Sequence, residues 1–95
     1  MALLSAEEIE SKLAGLDGWQ LSGDAIEKRF PCGDFVGSVK FVESLVGPAE
    51  EMGHHPDLAI SWDTVTVTIS THSEGGLTAA DFELAARVDA LSPTS

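Results

Sequence analysis

The chain has 95 residues, 43% of them hydrophobic, and sets five basic residues against sixteen acidic ones for a formal charge of −11. That is enough chain for one core and too little for two, so residues 1–95 read as a single domain. The acidic balance repels phosphate backbones and anionic membrane surfaces, and no apolar run approaches the roughly 18 residues of a membrane span, which excludes nucleic acid as a direct ligand and excludes membrane insertion.

The first four residues are too short and too poor in basic groups for a secretory leader, so a cytoplasmic protein is expected. Ser5 followed by Glu8 has the form of a capping box, and Ile9, Leu13 and Leu16 recur at helical spacing, which predicts a helix over residues 6–16. Trp19-Gln20-Leu21 alternates, Gly23-Asp24 is a turn pair, and residues 25–30 form a second strand that Pro31 ends. The lone cysteine, Cys32, excludes an internal disulfide and reads as a small apolar residue. Asp34 is a candidate N-cap for a helix carrying Phe35, Val39, Val42, Leu45, Val46, Ala49 and Met52 on one stripe. Gly47-Pro48 interrupts that stripe, giving either a kink or two helical pieces, and Gly53 suits a left-handed exit. Pro56 holds His55 extended.

Leu58, Ile60 and Trp62 share one side of a third strand, Asp63-Thr64 is the expected turn, and Val65, Val67 and Ile69 alternate with Thr66, Thr68 and Ser70 at a clear period of two. By parity His72 continues the polar set. Glu74-Gly75-Gly76 turns the chain, and Thr78 with Asp81 resembles a capping box for a last helix faced by Phe82, Ala85, Val88 and Leu91. Residues 92–95 are expected to fray. The order αββαββα implies an α+β layer structure, a four-stranded antiparallel sheet with helices packed on one face.

All three histidines of the chain fall where one hairpin can gather them. With the turn at Asp63-Thr64, a residue near Pro56 pairs with one near Thr71, and His72 returns beside His54-His55. An imidazole titrates near neutrality, so one could protonate a leaving hydroxyl while another takes a proton from a ring nitrogen, the two acts that elimination of water across a carbon-nitrogen bond requires. Glu50, one helical turn before His54, could orient an imidazole, as could Asp57 and Asp81 from the other side. The plain alternatives are a helix-end cap or a solvent-exposed residue for His54 or His55, a core role for Trp62 rather than a pocket wall, and an ordinary exposed strand face for Ser70, Thr71 and Ser73. A three-histidine zinc site is the rival chemistry, but neighbouring residues point apart and no HExxH or Cys/His spacing is present, so neither a metal nor a cofactor is expected.

Glu50, three residues, His54-His55-Pro56, five residues, Trp62, nine residues, His72, eight residues and Asp81 together resemble the signature of the pterin-4a-carbinolamine dehydratases. The resemblance runs over nearly the whole chain and implies the αββαββα fold, homo-dimers or homo-tetramers, and a hydro-lyase reaction: loss of water from 4a-hydroxytetrahydropterin to give quinonoid dihydropterin, in tetrahydropterin recycling. It implies catalytic roles for His54, His55 and His72, substrate contacts from Gly53 to His55 and from Ser70, Thr71, His72 and Ser73, and supporting roles for Glu50, Pro56, Trp62 and Asp81. Gly53, Cys32 and Gly47-Pro48 depart from frequent family residues. Some relatives have lost the histidines and serve as assembly or dimerisation partners of other proteins, the alternative role for this chain; it keeps all three histidines.

Overall fold

The computed structural model describes residues 2–93. Its elements are α1 (Ala6–Ala14), β1 (Gln20–Ser22), β2 (Ala25–Pro31), α2 (Phe35–Ser44), α3 (Val46–Met52), β3 (Asp57–Ser61), β4 (Thr64–Ile69), a 3-10 turn (His72–Glu74) and α4 (Ala79–Leu91). The strands form one antiparallel sheet in the order β1-β2-β4-β3. This is the expected α+β fold, with the second helix in two pieces.

The alternation of β4 builds the core. Val65, Val67 and Ile69 are fully buried, and register places Phe30 opposite Val65 and Ile26 opposite Ile69 on the same face. Phe41 and Leu45 from the middle helices and Leu84, Ala85 and Val88 from α4 close over them. Burying each of the larger side chains contributes about 1.5–3 kcal/mol. The opposite face carries Glu27, Arg29, Thr66 and Thr68, with Thr68 Oγ1 donating to Glu27 Oε2 at 3.1 Å.

The capping box at Ser5 forms, and the bonds that Ser5 supplies hold the Glu8 carboxyl below its ordinary value. The helix after Asp34 stops at Ser44 and restarts at Val46. Pro48 has no N–H for the Ser44 carbonyl, and Leu45 bridges the pieces, its N–H donating to Val42 O and its carbonyl accepting from Ala49 N–H, both at 3.1 Å. At the far end of the chain, Asp89 binds Trp19 Nε1 at 3.1 Å and Lys28 Nζ at 2.9 Å, tying α4 to the sheet. Of the tail expected to fray, Thr94 and Ser95 lie outside the described residues. Ser92 does not fray: it is buried, and its N–H donates to Asp89 O at 3.1 Å.

Two expectations for the second hairpin are corrected. Its turn is Trp62-Asp63, because Ser61 pairs with Thr64, so Asp57 faces Thr68 rather than Ser70. Trp62 is 70% exposed and does not fill the core. It occupies the first turn position with φ +50°, a conformation tight hairpins usually assign to glycine. Its carbonyl accepts from Ser38 Oγ at 2.8 Å, and Asp63 O accepts from Cys32 N–H at 2.7 Å, so the tip is pinned from two sides. The positive φ costs about 1–2 kcal/mol in a residue with a Cβ. Trp62→Gly is therefore expected to leave stability unchanged or raise it by up to about 1 kcal/mol, read from urea or thermal unfolding. A loss above about 1 kcal/mol would mean that the indole packs in solution.

Candidate active site

The site begins where α3 ends. Gly53 takes the left-handed conformation (φ +61°, ψ +32°), its N–H donates to Glu50 O at 3.2 Å, and the His54 N–H reaches back to Ala49 O at 3.0 Å. This pair of bonds is a Schellman termination, and it turns the chain sharply just before the histidine pair. An i, i+4 relation between Glu50 and His54 is lost at that turn. Glu50 consequently binds His55, with Oε2 at 2.5 Å from Nε2, and the expected Glu50–His54 pairing does not form.

His54 turns inward. Its side chain is 14% exposed, and Nε2 lies 2.6 Å from Oδ1 of Asp81, which is fully buried. The second oxygen of Asp81 accepts from Thr71 Oγ1 and from Thr78 N–H, each at 2.8 Å. The latter bond belongs to the capping box of α4, so one carboxylate both starts the last helix and grips an imidazole.

His72 does not continue β4. The strand ends at Ile69, Thr71 makes an isolated bridge to Gly76, and His72 opens the 3-10 turn, so parity no longer fixes its direction. Its Nε2 stands 3.8 Å from Asp57 Oδ2, at the start of β3, and both side chains are about three-quarters exposed. Each histidine thus faces its own carboxylate. A chain of neighbours links them: His54 to Asp81, Asp81 to Thr71, which precedes His72, and His72 to Asp57, two residues after His55.

The remaining expected residues are distributed unevenly. Ser70 and Ser73 flank this corner on the irregular stretch after β4; Thr71 is buried, with its hydroxyl engaged. Trp62 sits at the opposite end of the hairpin. Pro56 and His55, with Glu50, Val46 and Leu58, line a groove of about 180 Å³ between the middle helices and β3, which His54 and His72 do not line. Among the described residues, no group of three histidine, cysteine or acidic side chains is placed to hold a metal. The Thr71–Asp81 bond escaped sequence reasoning, since only the capping pattern of Thr78 and Asp81 was visible there.

The family described as pterin 4 alpha carbinolamine dehydratase matches residues 2–91. A Thermosynechococcus vestitus protein provisionally named as such a dehydratase is 54% identical over 86% of each chain, and one from Roseiflexus castenholzii, named likewise, is 47% identical over 93% of this chain and 95% of its own. The crystal structure of a transcriptional coactivator/pterin dehydratase from Brucella melitensis superposes with a TM-score of 0.90 at 34% identity, covering 96% of this chain and 99% of that one. A pterin dehydratase-like protein identified as a RuBisCO assembly factor in the alpha-carboxysome gives 0.64 at 31% identity, over 81% and 89%. This chain belongs to the pterin 4 alpha carbinolamine dehydratase family.

Proposed function

We propose that the protein is a hydro-lyase that removes water from a 4a-hydroxytetrahydropterin to give quinonoid dihydropterin, acting in the cytoplasm in tetrahydropterin recycling. The observation that carries this reading is the set of three imidazole-carboxylate pairs at the junction of α3, β3 and the end of β4. Breaking the carbon-oxygen bond needs a proton for the departing hydroxyl, and forming the carbon-nitrogen double bond needs a base for the ring N–H. Histidines supply both near neutral pH. His54, His55 and His72 take the catalytic roles, with Gly53, Ser70 and Ser73 beside them on the stretches that would meet the substrate. The pterin bicycle is uncharged, so a protein of charge −11 has no electrostatic penalty in binding it.

Purified protein is expected to accelerate dehydration of a 4a-hydroxypterin. Because His72 is exposed and makes only a 3.8 Å contact, His72→Ala should alter stability by less than about 0.5 kcal/mol while lowering kcat by about a hundredfold or more. A folded His72→Ala protein with undiminished kcat would remove His72 from the mechanism.

A second copy of the chain is the proposed cover for the β3 edge. Every residue of β3 is exposed; Leu58 and Ile60 expose apolar surface on that edge, and Val46 does so across the groove it shares with Leu58. An unpaired apolar strand edge is a template for strand addition. Sizing or light scattering should report a dimer or tetramer, and Ile60→Lys should shift it toward monomer. A monomeric wild-type protein that copurifies with one stoichiometric partner and lacks dehydratase activity would instead favour the assembly role.

A further inference from the structure

The hydrogen bonds around Asp81 constrain where the protons lie, and this assigns a role to Thr71. Three groups converge on the carboxylate: Thr71 Oγ1 and Thr78 N–H on Oδ2, and His54 Nε2 on Oδ1. The Thr78 N–H and the Thr71 hydroxyl both donate to Oδ2, which leaves no place there for a carboxyl proton. Thr71 has one proton to give, so the 2.9 Å contact between the two threonine hydroxyls is donated by Thr78. These two donors favour the ionised carboxylate, and an ionised Asp81 accepts through Oδ1 as well, so the 2.6 Å bond is donated by His54 Nε2. His54 Nδ1 makes no hydrogen bond among the described residues. Since no buried side-chain nitrogen or oxygen of those residues lacks a partner, Nδ1 retains accessible surface on a side chain that is 14% exposed.

We infer that Thr71 is a positioning residue: through Asp81 it holds His54 with its proton on Nε2 and presents Nδ1 as the atom that exchanges a proton with the substrate. Thr71 itself is buried, and its only proton is committed to Asp81. Without the Thr71 hydroxyl, the buried carboxyl has one donor fewer. It can then take up one proton from solvent: Oδ1 becomes protonated and donates to Nε2, the imidazole proton passes through solvent to Nδ1, and the pair, one proton richer, no longer offers Nδ1 as an acceptor.

The tautomer is read directly by long-range ¹H–¹⁵N correlation on the ¹⁵N-labelled full chain at a pH of about 8, where an ordinary imidazole is neutral. The ring is assigned by its absence from His54→Gln. Wild-type Nε2 should have the shift of a protonated, pyrrole-type nitrogen; an unprotonated Nε2 would overturn the inference whether or not the protein proves to be a dehydratase. In Thr71→Val, Nε2 should lose pyrrole character, and Thr71→Ser should restore it. The kinetic arm rests on the dehydratase reading: kcat should fall about tenfold or more in Thr71→Val with KM within about twofold of wild type, and recover in Thr71→Ser. An unchanged Nε2 shift in Thr71→Val, or equal losses in both variants, would reduce Thr71 to a packing residue.

Discussion

The structure of the site depends on one buried charge. Taking a carboxylate out of water costs several kcal/mol, and Asp81, with no exposed surface, offsets that only through the donors aimed at it. Those donors come from three separate parts of the chain: the imidazole just after α3, the hydroxyl just after β4 and the backbone just before α4. Displacing any of them would leave a buried oxygen short of a partner. The requirement to satisfy one side chain therefore fixes three element ends relative to one another, and His54 is among the groups fixed.

The sheet provides the frame on which this joint sits. β4 lies between β2 and β3 and carries the fully buried Val65, Val67 and Ile69 beneath the helices. Its end is thus the most firmly held strand end near the histidines, and Thr71 and His72 follow within three residues. β3 has the opposite character, with all five residues exposed, and His55 and Asp57 lie at its start. The corner is consequently graded: a rigid interior wall bearing His54, and two imidazoles at 64% and 74% exposure that solvent or substrate can reach.

Much of this was legible in the chain because the informative signals were local. The caps at Ser5, Asp34 and Thr78, the glycine exit at Gly53 and the period of two in β4 each require only a few neighbouring residues, and the topology follows from their order. The turn of the second hairpin was misplaced because Trp62 carries a positive φ that nothing in its chemistry advertises. The slip was of two residues, an even number, so the paired residues of β3 and β4 stayed on their expected faces and the strand end still led back to the histidines. Partner choice was less legible. Whether Glu50 meets His54 or His55 is decided by the sharp turn at Gly53, and the link from Thr71 to Asp81 crosses the 3-10 turn and the loop before α4, across which periodicity carries no information.

The histidine doublet gains its meaning from that turn. On a continuing helix, adjacent residues would differ by about 100° and share one surface; on an extended chain they point to opposite sides. Gly53 ends the helix one residue before the pair, and Pro56, directly after it, disfavours a helical conformation for His55. Two consecutive imidazoles are thereby sent apart, one into the interior against a buried carboxylate and the other outward against an exposed one. The proposed dehydration, which needs a proton delivered at one atom and removed at another, would be served by such a split, because the two groups are neighbours in the chain but differ in environment. The exposed pair has room to reorient, the interior pair is held by the bonds around Asp81, and the adjacency of His54 and His55 in sequence is what places both at one corner.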